Sequence, residues 1–426
     1  MSVYALVLAA GFSSRMAPHF KPLLPLPAPA GTPRTAGLTP PASDGVPAGE
    51  ISALAAVCAC HAAEGVRVLV VGGHRAADIA AAARACHAAF VENPHPEDGM
   101  FSSVRAGVAA LPADCTHFFV HPVDIPLVRR MTVRSLLEAA RAAAVSVTMP
   151  KASAENVVCT AQLPVLIPVF RGEEGHPPLF PAALREQLLG WRGEGGLRAA
   201  CADWPHCHVP VADALMLRDM DTAADYATVR EWAACADVLS PEEAEALLCV
   251  RGLPERGQAH CRAVAAVAAA FAATLNRARV LRDAGEPLLD VPLARAGGMV
   301  HDVCKGQPRH EAAAGALFRA WGMERMAWLV EAHRDMELPP ESPLTERELV
   351  FLADKYVRGP RPVTLEARFQ QKMEQFSGDA AACAAISGRL TRARRMAERF
   401  AQESGCDPAA LARRVLPDAS SVAAMV

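Results

Sequence analysis

Tyr4-Ala5-Leu6-Val7-Leu8-Ala9-Ala10-Gly11-Phe12-Ser13-Ser14-Arg15-Met16 is the stretch whose reading decides the fold. The apolar run Tyr4–Leu8 carries no charge and reads as a strand buried on both faces, the kind found in parallel sheets. Ala9, Ala10 and Gly11 are small enough for the backbone to turn sharply and approach a ligand closely. Ser13, Ser14 and Arg15 then offer hydroxyl and guanidinium donors to an anion. A strand feeding such a loop is how α/β proteins hold phosphates at the carboxyl ends of their strands. Only Gly11 stands where a dinucleotide fingerprint needs three spaced glycines, and no Gly-Lys-Ser/Thr follows, so neither of the two commonest phosphate loops is present.

Outward from this loop, residues 1–230 alternate strand and helix signals. Val66–Val71, ending at Gly72-Gly73, and His117–Val120 read as further strands, with shorter candidates at Ala89–Val91 and Val145–Val147. Alanine-rich helical stretches lie between them, near 51–64, 75–88, 102–111 and 132–144. The pattern predicts an α/β, doubly wound, Rossmann-like parallel sheet. Residues 27–50 interrupt it with a proline- and glycine-rich surface insertion.

Beyond Tyr226 the strand signal ends. Ser240-Pro241-Glu242-Glu243 is a helix start, with a capping hydroxyl, proline in the first turn and acids at the positive helix end. Helical stretches follow near 258–277, 291–304, 309–322, 324–334, 344–357 and 364–376, with two more toward the C-terminus. Three parts are expected: an α/β domain over 1–230, an all-α domain over 236–376 and a helical extension over 377–426.

Leu8-Ala9-Ala10-Gly11-x-Ser13-x-Arg15-Met16, with Lys21-Pro22-Leu23-Leu24 behind it, resembles the signature of the MobA-like nucleotidyltransferases, and within them most the molybdopterin cytidylyltransferases. Pro122-Val123-Asp124-Ile125-Pro126 sits just after a predicted strand, where α/β sheets bind ligands. An aspartate there suits Mg²⁺, which prefers oxygen ligands and shares its shell with substrate phosphates. The resemblance implies Mg²⁺ on Asp124 and on Asp221, the second acid of Asp219-Met220-Asp221-Thr222-Ala223-Ala224-Asp225-Tyr226. It places Leu8, Ala9, Ala10, Gly11, Ser13 and Ser14 at the nucleotide, and Arg15 and Lys21 at its phosphates. Asn93-Pro94 with Gly99–Val104, and Gly175-His176-Pro177, match smaller motifs and put Ser102, Ser103 and His176 at the substrates. Gly195-Gly196-Leu197-Arg198 matches another, with Glu194 in place of the family's acid. The implied reaction is attack by an acceptor phosphate on the α-phosphorus of a nucleoside triphosphate. Ala10, where guanylyl-transferring relatives carry glycine, favours CTP. The implied acceptor is molybdopterin or another phosphorylated metabolite, and the implied protein partner a molybdoenzyme or its chaperone. The chain departs from the pattern at Ala17 and in an Arg15–Lys21 spacing one residue longer.

In the helical half, metal-type residues sit on apolar lines. His260 precedes Val264, Val267 and Phe271; His310 leads Ala314 and Leu317; His333 trails Leu329 and Val330; Asp354 trails Val350 and Phe351. Four such core-facing positions, plus adjacent His301 and Asp302, would each need a buried partner, and a shared divalent cation satisfies them together. The order His260, His301-Asp302, Lys305, His310, His333, Asp354-Lys355 resembles the HD-superfamily phosphohydrolases. That resemblance implies one metal on His260, His301, Asp302 and Asp354. It also implies a second metal or a phosphate on His310 and His333, and Lys305 against phosphate charge. Imidazole with carboxylate fits a divalent transition metal such as Mn²⁺ or Fe²⁺. A nucleotide-sensing module without turnover is the alternative for this half.

Composition narrows the classes. At 426 residues with 52% hydrophobic, a sizeable core is available, while 5% aromatic content offers no stacking platform for single-stranded nucleic acid. The net charge of −3 supplies no nucleic-acid footprint, and Arg389, Arg392, Arg394, Arg395 and Arg399 read as a solvated helix face. Thirteen cysteines without a Cys-x-x-Cys pair suit a reducing cytosol, and Cys201, His206, Cys207 and His208 match no standard zinc spacing. The N-terminal run lacks the basic segment of a secretion signal, and no segment is expected to reach the apolar length of a membrane span. A cytoplasmic enzyme that contacts neither nucleic acid nor membrane is the expectation.

Overall fold

The computed structural model describes residues 1–16, 18–28, 49–148, 162–282, 285–337, 339 and 342–416. Ala17 and most of the 27–50 insertion lie outside them. The chain divides into two compact units, Met1–Ala236 and a second from Asp237 onward.

The first unit is built on β1 (Val3–Leu8), β2 (Pro25–Pro27), β3 (Glu50–Ser52), β4 (Arg67–Gly72), β5 (Ala89–Glu92), β6 (His117–Pro122), β7 (Val165–Phe170), β8 (Glu173–Glu174), β9 (Leu179–Pro181) and β10 (His206–Pro210). Its helices are α1 (Ala53–Ala62), α2 (Ala76–Ala85), α3 (Met100–Ala110), α4 (Arg130–Thr148), α5 (Arg185–Gly190), α6 (Gly196–Ala200) and α7 (Ala223–Ala234). The main sheet runs β10-β7-β9-β6-β1-β4-β5, with β8 against β7. All six β1 residues are buried, because β1 lies parallel between β4 and β6, with Leu6 opposite Leu69 on one side and Val120 on the other. Leu6, Val71, Phe118 and Val120 pack under Val104 and Val108 of α3 on one face. Val7 and Val70 pack under Leu54, Val57 and Ile79 of α1 and α2 on the other. Helices thus cover both faces, as expected, but the sheet is mixed, since β9 runs antiparallel to β6 and β7. β2 and β3 pair antiparallel, Leu26 opposite Ile51, and so join the two ends of the insertion.

One expected strand is a helix. Val145–Val147 lies in the last turns of α4, because the alanines from Ala139 to Ala144 carry an established helix onward, and β-branched preference is the weaker influence.

The second unit is helical: α8 (Pro241–Val250), α9 (Glu255–Arg282), α10 (Val291–Val300), α11 (His310–Ala320), α12 (Glu324–Val330), α13 (Glu346–Tyr356), α14 (Leu365–Gln375), α15 (Ala380–Ser404) and α16 (Pro408–Val415). A two-stranded ribbon, β11 (Val357–Arg358) and β12 (Arg361–Pro362), follows α13. Ser240 caps α8 through a reciprocal bond pair with Glu243. Contrary to expectation, α9 is long and apolar enough to cross a membrane by length and composition, because its many alanines count as apolar. Yet 56% of its most apolar window is buried within the protein, as in a core helix. The Arg389–Arg399 face of α15 is laced with ion pairs: Arg392 to Asp335 at 2.7 Å, Arg394 to Glu366 at 3.1 Å and Arg399 to Glu403 at 2.7 Å.

α10 crosses α9 with almost no gap. A Cβ on Gly298 would fall 2.7 Å from Ala265 Cα, and backbone cannot step aside as a side chain can. Gly298→Ala is therefore expected to destabilise the second unit by about 1–3 kcal/mol. Denaturant unfolding measures this, and a change within experimental error would mean that the helices are not in close contact.

Candidate functional site

The phosphate-type loop follows β1 directly. Leu8, Ala9 and Ala10 are buried, and Ala9 N–H donates to Val71 O at 2.9 Å, so these residues can offer a ligand only backbone. Gly11, Ser14 and Arg15 are exposed. Ser13 adopts a φ of 53°, and its Oγ accepts from Lys21 N–H at 3.1 Å, tying the loop to the segment that carries Lys21. Lys21 Nζ then lies 2.6 Å from Asp221 Oδ1 and 3.4 Å from Asp124 Oδ2, while Arg15 Nη1 meets Asp221 Oδ2 at 2.8 Å. Lys21, by hydrogen bond and charge, and Arg15 hold the Asp221 carboxyl below its usual range. Arg15 and Asp221, 206 residues apart in sequence, thus meet.

Backbone bonds fix both acids. Met220 N–H donates to Asp124 O at 2.9 Å, and Val123 N–H to Leu8 O at 3.1 Å, so the two acid-bearing segments and the strand before the loop are stitched together. Thr222 and Asp225 form the reciprocal cap of α7, and Tyr226 donates to Pro25 O at 2.6 Å, anchoring the chain just past Lys21. His176 is half-buried; burial lowers its pKa, opposed by the charges of Asp124 and Asp219, and its Nδ1 has no hydrogen-bond partner. Ser102 and Ser103 are less free than expected: Asn93 Nδ2 donates to their hydroxyls at 2.8 and 3.0 Å, and Ser103 is buried. The Cys201–His208 cysteines and histidines form no metal-type group among the described residues.

Sequence reasoning missed a buried histidine pair beneath Asp124. His61 Nε2–H donates to His121 Nδ1 at 2.9 Å, and His121 Nε2–H donates to Ile125 O at 2.9 Å, in the turn that carries Asp124. The signal was legible only as two histidines on otherwise apolar elements. Two carboxylate oxygens around one ammonium make a donor set that fits a hard cation with phosphate.

In the second unit the histidines are aimed by their backbone. His301 Nδ1–H donates to Gly298 O at 2.8 Å, His333 Nδ1–H to Val330 O at 2.6 Å and His260 Nδ1–H to Gly359 O at 3.3 Å. In His301 and His333 this leaves Nε2 as a lone pair, the tautomer of a metal ligand, while His260 also faces Asp354 through Nε2. His260 Nε2 lies 3.2 Å from Asp354 Oδ1, and His301 Nε2 lies 3.6 Å from Asp302 Oδ2 and 3.8 Å from Asp354 Oδ1. Asp302 Oδ1 faces His310 and His333 Nε2 at 3.4 and 3.7 Å, and those nitrogens are 3.2 Å apart. Two groups therefore share Asp302: His260, His301 and Asp302, and Asp302, His310 and His333, each with ligand atoms within 4.8 Å.

The donor chemistry fits a cation. His301 Nε2 is buried without a hydrogen-bond partner, and the Nε2 atoms of His310 and His333 lie 3.2 Å apart. Burial raises the Asp302 and Asp354 carboxyls, but His301 and Lys305 around Asp302, and Lys355 and His260 around Asp354, outweigh it and hold both well below the usual range. Burial, then the His301 charge, pushes His333 down to about 3, so it stays neutral and ligating at physiological pH. Lys305 is more than half exposed and bonds Asp302 Oδ2. Lys355, which closes the motif without a role implied for it, is buried, and its Nζ donates to Asp354 Oδ2 at 2.7 Å and to His333 O at 2.9 Å.

Comparison with known proteins agrees with this division. Residues 5–211 match the family of MobA-like NTP transferase domains, and residues 257–359 match the HD domain. The chain joins a MobA-like NTP transferase domain to an HD domain, and HD domains bind divalent metals. No curated protein matches it. Among solved structures it is similar to Rv0371c from Mycobacterium tuberculosis H37Rv, with 20% identity and a TM-score of 0.39 over 54% of this chain and 99% of that one. A nucleotidyl transferase from Methanothermobacter thermautotroptrophicus aligns with 22% identity and a TM-score of 0.39, over 54% of this chain and 96% of that one. Molybdopterin-guanine dinucleotide biosynthesis protein A from Archaeoglobus fulgidus aligns with 14% identity and a TM-score of 0.34, over 54% and 97%.

Burial pushes the pKa of His121 from 6.5 to about 4, against the support of the Ile125 carbonyl. Between these values the unfolded chain binds the extra proton, so stability present in full above pH 6.5 is lost as pH falls toward 4. Calorimetry of the full chain is expected to show the transition of the first unit falling over this window. His121→Gln, which keeps a donor but cannot titrate, is expected to flatten the slope; an unchanged slope would remove His121 as its source.

Proposed function

From a MobA-like NTP transferase domain and an HD domain in one chain, we propose a bifunctional cytoplasmic enzyme. Its first centre transfers a cytidylyl group from CTP to molybdopterin, and its second hydrolyses a phosphoester with a divalent metal. The observation that supports the first activity most is the convergence of Asp124 and Asp221 on Lys21, beside a loop with open backbone at Gly11.

An oxygen of the acceptor phosphate attacks the α-phosphorus of the triphosphate, and the bond to pyrophosphate breaks. No protein nucleophile is required, so the work is positioning and charge neutralisation. Lys21 and Arg15 bind phosphate oxygens, the Leu8–Gly11 backbone with Ser13 and Ser14 cradles the nucleotide, and Ala10 narrows the base site toward cytosine. Ser102, Ser103 and His176 border the acceptor. Asp124 and Asp221 would hold Mg²⁺, which supplies charge neutralisation on the phosphates.

In the second centre His260, His301, Asp302 and Asp354 would hold one Mn²⁺ or Fe²⁺, which supplies an acidified water for attack on phosphorus. His310 and His333 would hold a second ion or the substrate phosphate, with Lys305 opposing phosphate charge. A molybdoenzyme or its chaperone is the protein partner to which the finished cofactor would pass.

Incubation with each of the four triphosphates and molybdopterin, followed by pyrophosphate release, tests the first activity. CTP is expected to be preferred, and Asp124→Ala to lower the rate by on the order of 10²-fold or more with the fold intact. Dominant use of GTP would move the chain to guanylyl transfer, and turnover only with another phosphorylated acceptor would replace molybdopterin. His301→Ala with Asp302→Ala is expected to lose the transition metal and phosphoesterase activity while keeping pyrophosphate release. Full metal content in that variant, measured by elemental analysis, would eliminate the second centre.

A further inference from the structure

Past residue 359, where the match to the HD domain ends, α14 and α15 bring a second set of charges to the histidine–aspartate cluster. The Asp354 Oδ1 that lies 3.2 Å from His260 is also 3.3 Å from Arg368 Nη2 of α14, and Asp354 Oδ2 accepts from Lys355 at 2.7 Å. Lys372 stands one turn beyond Arg368 on the same face of α14. Arg389 and Arg392 of α15 reach Asp335 at 3.5 and 2.7 Å. Lys355 and Arg368 thus meet one carboxylate, Asp354, and Arg389 and Arg392 another, Asp335, with Lys372 near enough to Lys355, Arg368 and Arg389 to feel their charge.

This is not the balanced pairing of a solvated helix face, which the same helix shows further along, where Arg394 has Glu366 and Arg399 has Glu403. Two guanidinium N–H groups here, Arg368 Nε and Arg389 Nε, are buried atoms without a hydrogen-bond partner, although Arg368 reaches Asp354 through Nη2 and Arg389 lies 3.5 Å from Asp335. Lys372 shows the crowding directly: burial, then the neighbouring Lys355 and Arg368, push it down to about 8. A cation held by Asp354 would add its own charge to this excess of positive charge. One phosphate group carries about −1.5 to −2 near neutral pH and accepts several N–H donors, matching this excess in charge and hydrogen bonding.

We propose that Lys355, Arg368, Lys372 and Arg389 form an anion-binding lip that takes the second phosphate of a substrate with two linked phosphates, the first lying on the histidine–aspartate cluster. The inference rests on the phosphohydrolase reading and narrows its substrate class to diphosphates. The lip residues on α14 and α15 are positioning residues, since they fix where the diphosphate sits and not the reacting phosphorus.

Calorimetric titration of the full-length, manganese-loaded protein with inorganic pyrophosphate and with inorganic phosphate tests it. A background with Arg15→Ala and Lys21→Ala removes the side-chain phosphate contacts of the first unit. Pyrophosphate is expected to bind at least tenfold more tightly than phosphate. Lys372→Gln and Arg389→Gln are each expected to reduce that ratio several-fold, Lys372→Arg to preserve it, and manganese content to stay unchanged in all three. A ratio near one in the parent protein, which needs no lip variant to fold, overturns the lip, as does an undiminished ratio in both glutamine variants. Absence of bound manganese and of hydrolysis of 4-nitrophenyl phosphate in the parent overturns the phosphohydrolase reading itself, and the lip with it.

Discussion

Carboxylates held close together on a fixed backbone require positive charge between them, and both centres of this protein are organised by that requirement. In the first unit Asp124 follows the end of β6 and Asp221 precedes the start of α7, and a backbone bond from Met220 N–H to Asp124 O ties the two segments together. Lys21 and Arg15 supply the compensating charge, and both come from the loop that follows β1. In the second unit Asp302 and Asp354 are buried, where an uncompensated carboxylate would be far more costly. His301 and His333, each with Nδ1–H held by a backbone carbonyl, present Nε2 toward them, beside Lys305 on Asp302 and Lys355 on Asp354. Side-chain cations meet this demand in both centres, Lys21 and Arg15 in the first and Lys305, Lys355 and Arg368 in the second, where the histidines add nitrogen donors that a metal cation would take.

Much of this was legible in the sequence because the informative residues contradict their surroundings. Tyr4–Leu8 has no reason to be uniformly apolar unless buried on both faces, and the loop after it has no reason to carry Ser13 and Arg15 unless it meets an anion. His260, His310 and His333 stand on apolar lines that otherwise read as core, and with the adjacent His301 and Asp302 they are the polar residues a shared cation would explain. The strand assigned to Val145–Val147 failed because local β-branching competes poorly with an alanine-rich helix already under way. The antiparallel β9 escaped notice for a different reason: three residues carry too little pattern, and its place between β6 and β7 is set by tertiary pairing.

What sequence could not reveal is which polar groups are already occupied. Ser102 and Ser103 look like free hydroxyls at a helix start, yet Asn93 donates to both. His61 and His121 fall in no motif, and only their 2.9 Å contacts make them the support of the turn that carries Asp124. Lys355 followed Asp354 in the sequence without a role, and burial beside that carboxylate makes it part of the site. Arg368 and Lys372 illustrate the same limit, since an ordinary exposed-looking helix becomes a charged lip only through its docking beside α13.

The central claim is that the histidine–aspartate cluster of the second unit is a metal centre. X-ray absorption at the metal edge of the full-length protein, loaded with manganese or iron, tests it most directly. The account predicts a mixed nitrogen and oxygen shell with the outer scattering of at least two imidazole rings per metal. A metal surrounded by oxygen alone, or no retained metal, would contradict it.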